Sequence, residues 1–270
     1  MFENQTIWIT GASSGIGEAL AKALAAKGAK LILSGRKVPE LERVNQACGG
    51  GHLILPFETT DLAALPAIVE QAKAWNGRID FLVNNAGISQ RSLAVDTDFS
   101  VYQQIIDIDL LAPIALTQAV LPVMTAQGSG RLAFIASVAG LVGVPLRTAY
   151  CAAKHGIVGY ADALRAEVAG QGIKVHVIAP GSVKTNVSVN ALDASGKARG
   201  FSDDAIDNGL DVTKSAAQMI AAIEAEQREI VIAEGMESDI VVLRRTNPDA
   251  MFDMGAALVA QGYARKFGAE

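Results

Sequence analysis

Two cysteines, Cys48 and Cys151, stand far apart in the 270-residue chain and form no CxxC pair, which excludes a disulfide framework and offers no zinc-ligand spacing. Histidine is nearly as scarce: His52, His155 and His176 fall in no ligand-spaced cluster, so no metal is implied. Charged residues make up only 19%, and 23 Lys plus Arg against 28 Asp plus Glu leave a net charge of -5, the wrong sign for a nucleic-acid partner. No apolar run reads as approaching the roughly 20 residues needed to cross a bilayer, because charged residues, Gly or Pro interrupt each candidate. The opening MFENQTIWITGASSG lacks the basic region and apolar core of a signal peptide. A reducing, cytoplasmic setting without stable membrane insertion is therefore expected.

What the chain has is apolar material, at 50% of residues, enough for one large core. Short β-rich runs alternate with Ala/Leu-rich segments of helical period, the pattern of βαβ units. Strands are expected near residues 6–10, 30–34, 52–56, 81–83, 131–136, 174–178 and 229–233. Helices are expected over 15–27, 39–47, 62–75, 99–126, 150–170 and 213–226. This predicts an α/β fold: residues 1–270 as a single domain with a Rossmann-type, doubly wound parallel sheet of about seven strands and helices on both faces. Two segments break the alternation. Residues 187–211, rich in Ser, Asp, Gly and Asn, read as a loop over the substrate. A C-terminal extension runs from about 236 to 270, and Met251–Phe267 in it reads as an amphipathic helix packed on the core or on a second subunit.

The segment Thr10-Gly11-Ala12-Ser13-Ser14-Gly15-Ile16-Gly17 lies between a strand and a helix. Gly11 permits a tight turn, Gly15 lets backbone approach a phosphate, and Gly17 allows close helix–strand contact. The helix N-terminus then presents N–H groups and a partial positive charge to a pyrophosphate. Ser13, Ser14 and Ile16 complete that loop. After the second strand, where a site selective for NAD places an acid for the ribose hydroxyls, the chain has Ser34, Arg36 and Lys37. These suit a 2′-phosphate, so NADP(H) is the preferred cofactor and NAD(H) the alternative.

Ser137 follows the apolar strand RLAFIAS, and Tyr150 and Lys154 follow at i and i+4 on a helix-like segment. That spacing stacks the two on one face and sets an ammonium near a phenol. A free phenol releases its proton only near pH ~10, so a neighbouring cation removes the main obstacle to acid/base work at neutral pH. Ser137 can hydrogen-bond the substrate oxygen and stabilise the charge that develops there.

With Thr10–Gly17, Asn84-Asn85-Ala86-Gly87, Ser137, Tyr150, Lys154 and Pro180-Gly181 in this order, the chain resembles the short-chain dehydrogenase/reductase family over roughly residues 5–235. The resemblance implies hydride transfer between the cofactor and a small carbonyl or alcohol substrate, with Tyr150 as acid/base and Ser137 and Lys154 completing the triad. It implies that Lys154 also holds the nicotinamide ribose. Asn85, Ala86 and Gly87 pass beside the cofactor, and Pro180, Gly181, Val183 and Thr185 border the nicotinamide. It also favours a homodimer or homotetramer.

The chain departs from the family pattern at two positions. Asp109 stands where the family commonly has an Asn that supports a water in the proton relay; its shape preserves the geometry while its charge offsets that of Lys154. Replacing Asp109 by Asn is expected to retain activity and to move the basic limb of the rate profile downward. Glu58 stands where the family often has Asp beside the adenine ring, a place its backbone can fill. The substrate pocket is expected between residues 89–91, 139–144, Arg147 and the stretch after Thr185. Leu141, Val142 and Val144 would make it apolar, and Arg91 and Arg147 are read as surface charges before they are read as anion binders. The rival to an enzyme is a dinucleotide-binding sensor with little turnover, and Asp109 is its one support.

Overall fold

The computed structural model describes residues 1–263. Its first half alternates β1 (Thr6–Thr10), α1 (Gly15–Ala25), β2 (Lys30–Ser34), α2 (Val38–Ala47), β3 (Leu53–Ile54), α3 (Leu65–Asn76) and β4 (Phe81–Asn84). A long helical stretch follows, α4 (Phe99–Ile106) and α5 (Ala112–Gln127), joined without a break by one π turn at Asp107–Leu111. Then come β5 (Gly130–Ile135), α6 (Thr148–Val168), β6 (Ile173–Pro180), the short α7 (Asp204–Asp207), α8 (Val212–Glu224) and β7 (Glu229–Ile232). Two helices close the described chain, α9 (Met236–Thr246) and α10 (Pro248–Ala260).

All seven strands are parallel in the order β3-β2-β1-β4-β5-β6-β7, as the alternating pattern predicts. Both faces of the sheet are covered, so neighbouring residues on one strand feed two separate cores. Ile7, Ile9, Leu31, Leu33 and Phe81 pack under α1 and α8 through Leu20, Leu24, Met219, Ile220 and Ile223. Trp8, Ile32, Leu82, Leu132 and Phe134 pack on the other face against Val69, Leu116, Val120, Ile157 and Leu164. Each such side chain, fully buried, contributes about 1.5–3 kcal/mol. The strand order reverses between β1 and β4, and the C-terminal ends of these two strands frame the crevice where α/β sheets of this kind place their ligands.

Three expectations change. The strand near 52–56 shrinks to Leu53–Ile54, because the chain pairs with β2 at only two positions. The helical stretch Phe99–Gln127, 29 residues long with an 18-residue window of mean hydropathy 1.6, is long and apolar enough by length and composition to cross a bilayer, against the reading that no run approaches that length. Its Val101, Ile105, Leu116, Val120 and Met124 are buried among the other elements. In the C-terminal extension the helix expected over Met251–Phe267 starts earlier, at Pro248, where Asn247 caps it by accepting the Ala250 N–H at 3.2 Å. It ends at Ala260, and residues 264–270 lie outside the described part. The helix before it, α9, was not expected.

Candidate active site

The loop after β1 is shaped by what its glycines leave out. Gly11 has φ +64, and a Cβ there would lie 2.9 Å from the Ala86 Cα; a Cβ on Gly17 would collide with the Gly11 carbonyl. Asn85 fixes this loop to the end of β4, its Nδ2 donating to the carbonyls of Thr10 (2.9 Å) and Gly11 (3.2 Å). The Thr10 hydroxyl accepts the backbone N–H of Asn85 and of Ala86, at 3.0 and 3.1 Å. Thr10 is thus a brace that its motif position alone did not reveal. Gly15 has φ +56 and faces Thr185, whose methyl would stand 3.2 Å from a Cβ placed there. Ser13 and Ser14 lie at the rim, and Ser14 extends no side-chain bond to the first turn of α1. The first-turn N–H groups of Gly15, Ile16 and Gly17 have no intrahelical acceptor. Backbone this close-packed, ending at uncapped helix donors, fits a dinucleotide pyrophosphate.

At the end of β2 the residues separate. Ser34 is fully buried and its Oγ accepts the Trp8 indole N–H at 2.8 Å, so it belongs to the core and not to a phosphate site. Arg36 and Lys37 are exposed. Arg36 lies 3.6 Å from the exposed Glu58 carboxylate, beside a cleft of about 450 Å³ that Thr60, Gln103 and Asp107 also line. A larger depression, about 570 Å³, lies between α5 and α6 along Leu121, Pro122, Leu164 and Val168, away from these groups.

Lys154 and Tyr150 share α6 as their spacing requires. The Lys154 side chain is buried, with Nζ 5.5 Å from the Tyr150 ring centroid. That ammonium donates to the Ile135 carbonyl at 3.0 Å and lies 3.2 Å from an Asp109 carboxylate oxygen. Burial works against its charge, but the Asp109 carboxylate and Tyr150 outweigh burial and hold Lys154 above its ordinary range. Burial pushes the Asp109 carboxyl up, and Lys154 and the Ile88 N–H, bonded at 2.8 Å, pull it back only in part. Asp109 sits in the π turn between α4 and α5, where the break in the α-helical ladder turns its side chain under Gly87.

Ser137 ends the β5 segment and caps a short 3₁₀ turn, accepting the Ala139 N–H at 3.1 Å and donating to the Pro180 carbonyl at 3.3 Å. That turn packs tightly on α6: a Cβ on Gly140 would lie 2.6 Å from the Lys154 carbonyl oxygen. Ser137, Tyr150, Lys154 and Asp109 are therefore carried by elements packed directly on one another.

The sequence profile of the short chain dehydrogenase family matches residues 5–195. The chain belongs to the short-chain dehydrogenase/reductase family. Among the family's proteins it is 34% identical over 263 residues to Dehydrogenase/reductase SDR family member 7B of Bos taurus, an alignment covering 94% of this chain and 81% of that one. A levodione reductase crystal structure superposes with TM-score 0.79 at 27% identity, covering 88% of this chain and 99% of the other. A family member from Burkholderia phymatum, solved in complex with NAD, shares the fold with TM-score 0.82 at 22% identity, over 92% and 95% of the two chains. The chain is thus an oxidoreductase of a family that works with NAD(H) or NADP(H).

Beyond the family motifs the structure brings in one residue that no motif indicated. Glu237, at the start of α9, accepts the Ser182 backbone N–H at 2.6 Å and the Ser182 hydroxyl at 2.7 Å, beside Pro180, Gly181 and Val183. The two partners are 55 positions apart, and no periodicity links them. The expected apolar wall is also partly filled. Val138 and Val142 are buried against Val241 of α9, with Leu141, Val144 and Ile240 packed around them. Arg91 is not a surface charge: it is 4% exposed, and its Nε donates to Asp203 at 2.6 Å. His155 meets the Cys151 carbonyl at 2.9 Å one turn back on α6.

Proposed function

We propose that this chain transfers hydride between NADP(H) and a carbonyl or alcohol on a small molecule, with Tyr150 as the proton donor and acceptor. The observation that carries the reading is the buried Lys154 ammonium, 5.5 Å from the Tyr150 ring centroid and held by Ile135 and Asp109 on a helix that flanks the crevice of the sheet. Gly11, Ser13, Ser14, Gly15, Ile16 and Gly17 hold the pyrophosphate on backbone N–H groups. Asn85, Ala86 and Gly87 pass beside the dinucleotide, and Pro180, Gly181, Val183 and Thr185 border its nicotinamide. When bound, the dinucleotide supplies or accepts the hydride. Ser137 turns its hydroxyl from the Pro180 carbonyl to donate a hydrogen bond to the substrate oxygen, and Tyr150 delivers its proton to that same oxygen as negative charge develops. Lys154 binds the nicotinamide ribose and keeps a positive charge beside Tyr150, while Asp109 holds that ammonium in place.

Arg36 and Lys37 are assigned to the 2′-phosphate, and the backbone of Glu58 to the adenine side. Comparing kcat/KM for NADPH and NADH tests this, and a clear preference for NADH removes the assignment. Consumption of NADPH across aldehydes, ketones and quinones, with Tyr150→Phe as control, tests the reaction. The 3.2 Å contact between Asp109 and Lys154 keeps one rival in view, a redox sensor with little turnover. NADPH binding without consumption of any carbonyl would favour the sensor. The reading further includes a homodimer or homotetramer joined through the apolar depression between α5 and α6, which light scattering checks. A cytoplasmic location belongs to it too; membrane-bound protein after cell fractionation would refute that part.

A further inference from the structure

Three arginines from three segments converge on one carboxylate. Arg91 follows β4, Arg147 precedes α6, and Arg199 and Asp203 lie on the loop after β6. Each Asp203 oxygen already has a partner: Arg91 Nε donates to Oδ2 and Arg199 Nη1 to Oδ1, both at 2.6 Å. The Asp203 N–H donates to the Ser188 hydroxyl at 2.9 Å, and a second Arg91 nitrogen donates to the Ser89 hydroxyl at 2.8 Å. Arg147 is left over. Its nearest nitrogen is 3.9 Å from Asp203, and its buried Nε has no hydrogen-bond partner among the described residues.

A brace holding the loop shut needs one carboxylate and the two arginines that bond it. A third guanidinium adds repulsion in a place with little water, where an uncompensated charge is costly. Burial pushes Arg91 down to about 10, and Arg147 pushes in the same direction. Arg147 stands at the N-terminal boundary of α6, three residues before Tyr150, and the charge of Tyr150 acts on Arg91. The surplus positive charge thus lies beside the group that receives the substrate oxygen.

We infer that Arg147, with Arg91 and Arg199 behind it, binds an anionic group, a carboxylate or a phosphate, that the carbonyl substrate carries a few bonds from its reacting carbon. This rests on the proposed carbonyl chemistry for its second half only; the anion site stands by itself. Guanidinium and oxyanion make paired, charge-assisted hydrogen bonds, so the group would select among carbonyl compounds that the apolar wall alone would not separate.

The test uses full-length protein saturated with NADP⁺, so that the cofactor's own anion sites are filled. Inorganic phosphate and succinate are titrated at constant ionic strength while Tm is followed in wild type, Arg147→Gln and Arg147→Lys. The wild-type Tm should rise, the rise should vanish in Arg147→Gln, and Arg147→Lys should restore part of it. In parallel, kcat/KM is compared for succinic semialdehyde against butanal and for glyceraldehyde 3-phosphate against glyceraldehyde. The anionic member of a pair should be favoured, and Arg147→Gln should reduce that ratio by ~10-fold or more, as for loss of a hydrogen bond to a charged group. The two pairs distinguish a carboxylate from a phosphate. An unchanged wild-type Tm overturns the inference. So does an Arg147→Gln variant that is several degrees less stable without anion and slows both members of each pair equally, the signature of a loop brace. Protection by anions with no turnover of any aldehyde would keep the anion site and remove the reductase reading, whereas turnover without preference would do the reverse.

Discussion

Replacing Asp109 by Asn separates charge from shape at the buried end of the proposed proton relay. Asn keeps the acceptor that receives the Ile88 N–H at 2.8 Å but removes the negative charge 3.2 Å from Lys154 Nζ. At an effective dielectric constant of about 20, two unit charges at that distance attract by ~5 kcal/mol. Burial opposes the Lys154 charge, and Asp109 is the main group overcoming it, so the variant leaves the ammonium with its largest cost and without its counter-ion. The sign follows: an ammonium no longer held above its ordinary range loses its proton at lower pH. Reductive kcat/KM with saturating NADPH, measured from pH 6 to the limit of protein stability, should show the basic limb displaced downward by about one pH unit or more. One unit corresponds to ~1.4 kcal/mol, a fraction of the Coulomb attraction, so even strong screening leaves a resolvable shift. Superimposable profiles would refute the reasoning, because they would mean that the buried carboxyl already carries a proton and behaves as an amide.

His176 provides a stability test: burial, with help from Arg131 and against the Gln227 carbonyl, lowers it to about 4, whereas the unfolded chain titrates near 6.5. Because the unfolded state binds the proton first, stability should be full above about pH 6.5 and fall by about 3 kcal/mol as pH drops to about 4; urea titrations that give His176→Gln the same pH slope would contradict this. Gly17→Ala should abolish NADPH binding by fluorescence titration while the protein remains folded by circular dichroism, since its Cβ would drive α1 off the Gly11 carbonyl. Glu237→Gln should raise the KM for NADPH several-fold by loosening the Ser182 segment, with an unchanged KM counting against α9 as a support of the cofactor cleft.

Local patterns were legible where a short stretch of chain sets the structure. Alternation gave β1 and β2 to the residue, and the Thr10–Gly17 turn followed from glycines whose missing Cβ atoms the packing uses. The stacking of Tyr150 and Lys154 followed from helix period. Contacts between distant segments were not legible. Ser34 looked like a phosphate ligand because its strand end points that way, but the Trp8 indole, 26 positions earlier, claims it. Arg91 looked exposed because arginines usually are; Asp203, 112 positions later, compensates its burial. The α9 cover over Val142 likewise depends on partners that no sequence window contains.

Deuterium transfer tests the chemistry at its centre. NADPH labelled on the transferring position of the nicotinamide is mixed in a single turnover with a carbonyl compound, and the product alcohol is analysed by mass spectrometry for wild type and Tyr150→Phe. Label should appear on the former carbonyl carbon with wild type and fall by ~100-fold or more in Tyr150→Phe, while NADPH still binds to both. Label transfer at the wild-type rate in Tyr150→Phe, or none from wild type with cofactor and carbonyl both bound, would contradict it.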